Sequence, residues 1–218
     1  MRQFISYVPD VFPKGSVSLT DGLGSVIEAR ITSATPKRNK LTAVVESVEV
    51  FKKNRIQRVL ASAIPKGDRQ SIMLDMATQL GMSTFIPLRC EYSATTYQPR
   101  MKERWGRIVR ESCKQCRQQN FPEIEGEVDL LDLIEDESED RLLLYADHRG
   151  SVVGGLQSMN FAQVRKIIMV IGPEGGFSDW EITALEKSEA LSLRLSDRIL
   201  RTEAAAVSLL SAMNQIIS

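Results

Sequence analysis

The pattern of apolar and polar positions changes character near residue 54. Before that point, short segments alternate between apolar and polar residues, as in Ser25–Ile31 and Leu41–Val48. Turn signals such as Asp21-Gly22 separate these segments. Alternation with a period of two is typical of strands with one buried face. We therefore predict a small antiparallel β-domain over residues 1–53.

The remaining residues, 54–218, show strands that alternate with helices. The apolar runs Val59–Ile64 and Phe85–Leu88 predict two buried strands, and the segment between them, Ser71–Leu80, has a helical pattern. A longer amphipathic helix is expected over Met101–Gln119. Strands that alternate with helices are typical of an α/β domain with a parallel sheet.

A glycine-rich turn follows the most apolar strand. The run Lys166–Ile171 is nearly unbroken, which predicts a strand that is buried on both faces. Ser178 and Glu181 match a capping box, which predicts that a helix begins there. Between strand and helix lie residues that permit positive φ and the close approach of a ligand, Gly172, Gly175 and Gly176. Taken alone, such a turn is more often a tight connection without a ligand.

A second turn repeats this arrangement with charged residues. Ala190–Leu195 alternates like a strand, and Thr202 is expected to cap an apolar helix over Ala204–Ile217. The charged residues between them are Asp197, Arg198, Arg201 and Glu203. They can serve as solvated caps and ion pairs only. Two such turns at the carboxyl ends of parallel strands nevertheless predict a ligand pocket.

The two turns together carry a family resemblance. The stretch I-G-P-E-G-G-F-S-x-x-E from Ile171 and the stretch L-x-x-R-I-L-R-T-E-x-A from Leu195 resemble the ribosomal RNA small subunit methyltransferase E family, of the SPOUT class. Upstream segments are similar to that family's "PKGD", "ATELG", "IPL" and "ERS" stretches, namely Ala63–Asp68, Met76–Gly81, Ile86–Leu88 and Glu91–Ser93.

This resemblance implies a fold and an activity. The fold is a small PUA-like β-barrel that precedes an α/β SPOUT domain, whose parallel sheet ends in a C-terminal trefoil knot. The activity is the methylation of uracil N3 in 16S ribosomal RNA of the small subunit, with S-adenosylmethionine bound at the knot. Members act as homodimers, and no metal is expected.

The resemblance also implies which residues form the site. Those expected to bind the cofactor are Gly172, Glu174, Gly175, Gly176, Leu195, Ser196, Ile199, Leu200 and Ala205. Since N3 must lose a proton, negative charge on the ring must be stabilised, and a guanidinium can do this. Arg201 is the first candidate for this role and Arg198 the next. Glu203 is the nearest carboxylate that could orient an arginine or take a proton, and the sequence assigns no certain general base.

Charge is segregated along the chain although the formal net charge is zero. Residues 1–122 carry 20 basic and 10 acidic side chains, whereas residues 123–218 carry 8 and 18. Such segregation can steer a polyphosphate to one surface, or it can be an idle solvated surface. The residues that we assign to RNA binding are Lys37, Arg38, Lys40, Lys52, Lys53, Arg55 and Arg104. The acidic run Glu135–Asp140 is expected to be solvated.

Composition limits the other possibilities. No apolar run approaches the roughly 18 residues of a membrane span, and no signal-peptide pattern is present, so we expect a cytoplasmic protein with reduced cysteines. Cys113 and Cys116 form one C-x-x-C pair, which cannot complete a zinc site alone. His148 follows a strand and is expected on the surface rather than in the pocket.

The chain departs from the family at its start. Family members carry a longer opening with a His-rich "HHL…VLR" stretch before the glycine that corresponds to Gly15, and Met1–Lys14 is too short to hold it. We therefore expect a truncated or rebuilt β-domain.

Three alternative functions stay open. One is a knotted methyltransferase that acts on another RNA, and one is a non-catalytic RNA-binding or ribosome-assembly protein. A nucleotide-hydrolysing enzyme would need a P-loop lysine and acidic metal ligands near Gly172, and neither is evident.

Overall fold

A computed structural model of the chain describes residues 5–7, 15–35, 40–135, 138 and 140–217. The chain forms two compact units. The first contains residues 1–54 and 113–121, and the second contains residues 55–112 and 122–218. The expectation of a shortened opening concerns residues 1–14, of which only 5–7 are described.

The first unit is built on an antiparallel sheet. Its strands, in sheet order, are β1 (Ile5–Tyr7), β2 (Ser16–Thr20), β3 (Ser25–Thr35) and β4 (Lys40–Val50). Buried side chains of β2 and β3 form a small core, Val17, Ala29 and Ile31. The predicted antiparallel sheet is confirmed, and its closure into a PUA-like barrel stays a prediction.

The second unit is an α/β structure around a parallel sheet with the strand order β11-β9-β10-β5-β6-β7, in which β8 pairs with β6. The strands are β5 (Gln57–Ser62), β6 (Thr84–Arg89), β7 (Glu123–Ile124), β8 (Val128–Asp129), β9 (Arg141–Val152), β10 (Lys166–Ile171) and β11 (Leu191–Arg194). The helices are α1 (Arg69–Gln79), α2 (Pro99–Cys116), α3 (Leu130–Ile134), a 3-10 helix (Val153–Ser158), α4 (Asp179–Lys187) and α5 (Thr202–Ile216). The predicted parallel sheet is confirmed.

Among the described residues, no helix is both long and apolar enough to cross a membrane.

β10 is the central strand of this sheet. It pairs in parallel with β5 on one side and with β9 on the other. Every residue from Ile167 to Ile171 is buried, as the unbroken apolar run predicts. Burial of these side chains on both faces fixes the strand and thereby the position of the turn that follows it.

β9 and β11 pair with an interruption in their register. Leu191 and Ser192 pair with Leu144 and Tyr145, but Leu193 and Arg194 pair with Ser151 and Val152, so residues 146–150 are skipped. Gly150 permits the close approach of β9 to β11, because a Cβ atom at this position would lie 2.6 Å from Ser192 Oγ and 2.7 Å from the Leu193 nitrogen. The skipped residues are thus displaced from the sheet, as in a β-bulge.

The start of α4 is held by a buried carboxylate. Glu181 is 0% exposed, and its Oε2 accepts hydrogen bonds from the Ser178 backbone N–H (2.8 Å) and hydroxyl (3.2 Å), so the predicted capping box is confirmed. Glu181 Oε1 accepts a further bond from the Glu91 backbone N–H (2.8 Å). The same side chain therefore ties α4 to the loop after β6.

The predicted cap of α5 is wrong by one residue. Arg201, in extended conformation, is the N-cap, and Thr202 is already the first helical residue. The Thr202 hydroxyl donates to the Gly172 carbonyl (3.3 Å) instead of capping its own helix. This bond joins the two turns that the sequence singled out.

Replacement of Glu181 by alanine should destabilise the second unit. Glu181→Ala leaves two backbone N–H groups without an acceptor, so we expect the free energy of unfolding to fall by about 2–4 kcal/mol. Glu186→Ala is the matched control, because Glu186 is an exposed acidic residue of the same helix and should change stability by less than about 0.5 kcal/mol. Urea denaturation followed by circular dichroism measures both, and equal midpoints for the two variants would contradict this role.

Candidate functional site

A cavity of about 290 Å³ opens at the carboxyl ends of β10 and β11 and beside residues 146–148 of β9. The turns between β10 and α4 and between β11 and α5 form two of its walls. All nine residues that the sequence assigns to cofactor binding, from Gly172 to Ala205, line it. The prediction of one pocket shared by the two turns is confirmed.

The glycine turn contributes little side-chain volume to the cavity wall. Gly176 has a φ of +77°, and a Cβ atom there would meet no atom within 4 Å. A Cβ atom on Gly172 would lie 3.1 Å from the Phe177 ring, which packs beneath the turn. Both positions therefore favour glycine, the first for its backbone conformation and the second for space.

The second turn contributes apolar side chains. Ile199 is 89% exposed although it is large and apolar, and it lines the cavity with Leu195 and Leu200. Ser196 shapes this turn, because its hydroxyl accepts a hydrogen bond from the Arg198 backbone N–H (3.0 Å). An apolar surface of this kind suits a ligand with a flat, apolar part.

A third wall comes from the bulge of β9, which the sequence did not reveal. Ala146, Asp147 and His148 line the cavity there. Burial opposes ionisation of Asp147, but hydrogen bonds from Arg149 outweigh it and hold the pKa of Asp147 below its ordinary value. His148 was expected on the surface, where it lies, but it also borders the cavity, with Nδ1 3.4 Å from Asp147 Oδ1.

The two candidate arginines lie differently. Arg198 lines the cavity, whereas Arg201, the N-cap of α5, is exposed and is not among its lining residues. Within the described part of the chain, neither guanidinium has a hydrogen bond or an ion pair. Both can therefore receive an anion without first breaking an internal contact.

Glu203 is not among the residues that line the cavity, and it shares an arginine with Glu174. Arg69 places Nη1 3.8 Å from Glu174 Oε1 and Nε 3.8 Å from Glu203 Oε1. The Lys66 backbone N–H also donates to Glu174 Oε1 (3.4 Å). Glu203 Oε2 is buried and has no hydrogen-bond partner among the described residues. Arg69 was missed by sequence reasoning, although it directly follows the "PKGD"-like stretch.

The residues assigned to RNA binding fall in both units. Lys52 and Lys53 are exposed after β4, and Arg104 is exposed near Asp68 (3.7 Å). The guanidinium of Arg55 donates to the carbonyls of Phe161 (2.9 Å) and Ala162 (2.8 Å), so it already has acceptors. Lys37, Arg38 and the side chain of Lys40 lie outside the described residues.

The C-x-x-C pair lies at the end of α2. Burial, with a smaller contribution from Cys116, raises the pKa of the Cys113 thiol to about 12, so this thiol is protonated at neutral pH and is a poor nucleophile. Among the residues that the structure describes, no group of three or more His, Cys, Asp or Glu side chains could hold a metal ion.

Known proteins share this architecture. A relative from Bacillus subtilis, the ribosomal RNA small subunit methyltransferase E, is 26% identical over 199 residues, which are 86% of this chain and 77% of the relative. A crystal structure of the enzyme of that name from Neisseria gonorrhoeae, bound to S-adenosyl methionine, has the same fold with a TM-score of 0.83 and 22% identity, over 98% of this chain and 92% of that one. A methyltransferase from Legionella pneumophila, in complex with its bound cofactor SAM, has a TM-score of 0.79 at 25% identity over the same shares.

A family model assigns the chain more directly. The model of the RNA methyltransferase domain matches residues 52–214, which include every strand of the parallel sheet, both turns and the cavity. Because the match spans far more than half of the sequence, the chain belongs to the RNA methyltransferase domain family.

Proposed function

We propose that the chain is an S-adenosylmethionine-dependent methyltransferase that methylates N3 of a uridine in 16S ribosomal RNA of the small subunit. The observation that carries this proposal is the cavity between the two turns, which all nine expected cofactor-binding residues line. The names of the relatives support the substrate, and the structure in complex with SAM supports the cofactor.

The size and lining of the cavity support S-adenosylmethionine as its ligand. Its volume, about 290 Å³, is near the lower end of the range for small-molecule sites, and the bare glycine turn lets a ligand approach the backbone. Ile199 offers an apolar surface that a bound adenine would cover. Asp147, held ionised by Arg149, suits a ligand that carries positive charge.

The residues of the chain would act mainly by positioning and by electrostatics. When bound, S-adenosylmethionine supplies an electrophilic methyl group on a sulfonium. The uridine must be unstacked to reach the cavity and aligned with that methyl group. As N3 loses its proton, charge develops on the ring, and the exposed guanidinium of Arg201, followed by that of Arg198, would stabilise it or hold the adjacent phosphate.

Glu203 is the carboxylate two residues from Arg201 in the chain. Its Oε1 lies 3.8 Å from Arg69 Nε, and its buried Oε2 has no hydrogen-bond partner among the described residues. Because Glu203 does not line the cavity, we assign it to orient an arginine, and the N3 proton then passes to solvent. Glu174, held by Arg69 and by the Lys66 N–H, would fix the glycine turn against the loop after β5.

The finer features of the family belong to the same proposal. They are a SPOUT-type trefoil knot at the C-terminal turn, a homodimer, and a PUA-like β-domain over residues 1–53 that binds RNA through Lys52 and Lys53. An enzyme that modifies ribosomal subunits would work in the cytoplasm.

Methyl transfer to small ribosomal subunits tests the reaction. Subunits from cells that lack this protein should accept label from S-[methyl-³H]adenosylmethionine, and nucleoside analysis should identify N3-methyluridine. Another methylated nucleoside, or label only in tRNA, would point to a different RNA substrate. Cofactor binding without transfer to any RNA would favour a non-catalytic RNA-binding protein.

Gly176→Val should weaken the binding of S-adenosylmethionine by at least about tenfold, because a branched side chain would enter the cavity and strain the turn. Gly67→Val is the matched control, because Gly67 also has a positive φ (+67°) and open space around it but does not line the cavity. Calorimetric titration should show a loss of less than about threefold for the control. Normal affinity in a folded Gly176→Val variant would remove this turn from the site.

Arg201→Ala should lower kcat by about 100-fold or more while the cofactor Kd changes by less than about threefold, because the guanidinium acts on the RNA and lies outside the cavity. Arg194→Ala, which removes an exposed arginine paired with Asp197 (3.5 Å), is the control and should retain its activity. Steady-state kinetics on the subunit substrate measure both. An active Arg201→Ala variant would exclude this role.

A further inference from the structure

Two large aromatic side chains flank the glycine turn on the outer surface. Tyr92, in the loop after β6, and Trp180, in the first turn of α4, are each 50% exposed. Tyr92 stands at the middle position of the Glu91–Ser93 stretch, where the family's "ERS" has arginine. The other tryptophan, Trp105, is 3% exposed and packs against Phe85 as a core residue.

Both rings are attached to fixed positions. A Cβ atom on Gly175 would lie 3.2 Å from Tyr92 Cβ and 3.6 Å from its Cγ, so the Tyr92 side chain rests directly on the turn that lines the cavity. Trp180 Nε1 donates to the carboxylate of Glu91. The Glu91 backbone in turn is held by the buried Glu181. The rings are thus ordered before any partner arrives, which lowers the entropy cost of binding.

The chemistry around the rings selects the kind of partner. Glu91 and Asp179 are exposed carboxylates beside Trp180, and they would repel a phosphate. The indole N–H is already satisfied by Glu91, so it is not offered for hydrogen-bond recognition of a base edge. What remains is the exposed part of each ring, with Tyr92 packed against Gly175 of the cavity wall and Trp180 bonded to Glu91 in the same loop. An exposed aromatic face suits the face of a nucleobase rather than the RNA backbone.

We propose that Trp180, with Tyr92, forms a stacking platform for unpaired bases next to the target uridine. The inference rests on the proposed function, because it requires a single-stranded RNA segment at the cavity. A uridine that leaves its stack exposes the faces of its neighbours, and aromatic side chains at the rim would compensate for that loss. Trp180 and Tyr92 are then residues that position the RNA and do not touch the reacting atoms.

Tryptophan fluorescence tests the platform directly. The difference in emission between the wild type and Trp180→Phe isolates Trp180, and a ten-nucleotide oligouridylate should quench this emission in the presence of S-adenosylmethionine. An abasic strand with the same number of phosphates should not quench it. Trp180→Ala should weaken oligouridylate binding by about 5- to 100-fold, and Trp180→Phe, which keeps a stacking ring, by less than about threefold. Cofactor Kd should be unchanged in both variants.

The outcomes separate this inference from the proposed function. If the wild type methylates subunit RNA but Trp180→Ala binds and turns over RNA normally, the platform is excluded and the enzymatic function stands. If no RNA is bound or methylated, both are excluded. Equal losses in Trp180→Ala and Trp180→Phe would mean that the bond to Glu91, rather than stacking, is what matters. An emission shift that follows protein concentration without RNA would assign this surface to a second copy of the chain, and so overturn the inference.

Discussion

β10 is buried on both faces and paired on both edges, and the site depends on this constraint. Its parallel pairing with β5 and β9 brings the carboxyl ends of β5 and β10 to one edge of the sheet, beside the middle of β9. The loops that follow must meet there, and they do so through the Lys66 N–H on Glu174 and the Thr202 hydroxyl on the Gly172 carbonyl. A shift of β10 along its neighbours would break both bonds and open the cavity wall.

The parts of the fold that the sequence predicted are those set by local pattern. The bounds of β10 agree with the predicted run, Lys166–Ile171, because the five consecutive apolar residues after Lys166 have few alternatives. The capping box at Ser178 is likewise a local motif.

The sequence did not reveal Asp147 as a cavity residue. Its place in the cavity comes from the contact between Gly150 and β11, which joins residues some forty positions apart and leaves no periodic signal. Arg69 was missed for the same reason, since both of its carboxylate partners come from the C-terminal part of the chain.

The single-residue error at the start of α5 has a chemical consequence. Thr202 is the first helical residue, and its hydroxyl donates to the Gly172 carbonyl of the other turn. Arg201 takes the N-cap position, is exposed, and is not among the residues that line the cavity. The two turns therefore divide the work in our proposal. In that proposal their backbone and apolar side chains would face the cofactor, and the exposed guanidinium would face the RNA.

Local charge refines what the overall charge suggested. The long-range segregation of charge favours RNA steering, yet the loops around the cavity contain several carboxylates that would oppose a polyanion. Two of them, Glu174 and Glu203, share Arg69, whereas Arg198 and Arg201 have no ion pair among the described residues. Positive charge is thus available on the α5 side of the glycine turn, and the α4 side presents carboxylates and aromatic rings. An RNA strand that crossed the turn would have its phosphates attracted on the α5 side. On the α4 side, only its bases would find a favourable surface. This asymmetry would orient the RNA without any contact that reads its sequence.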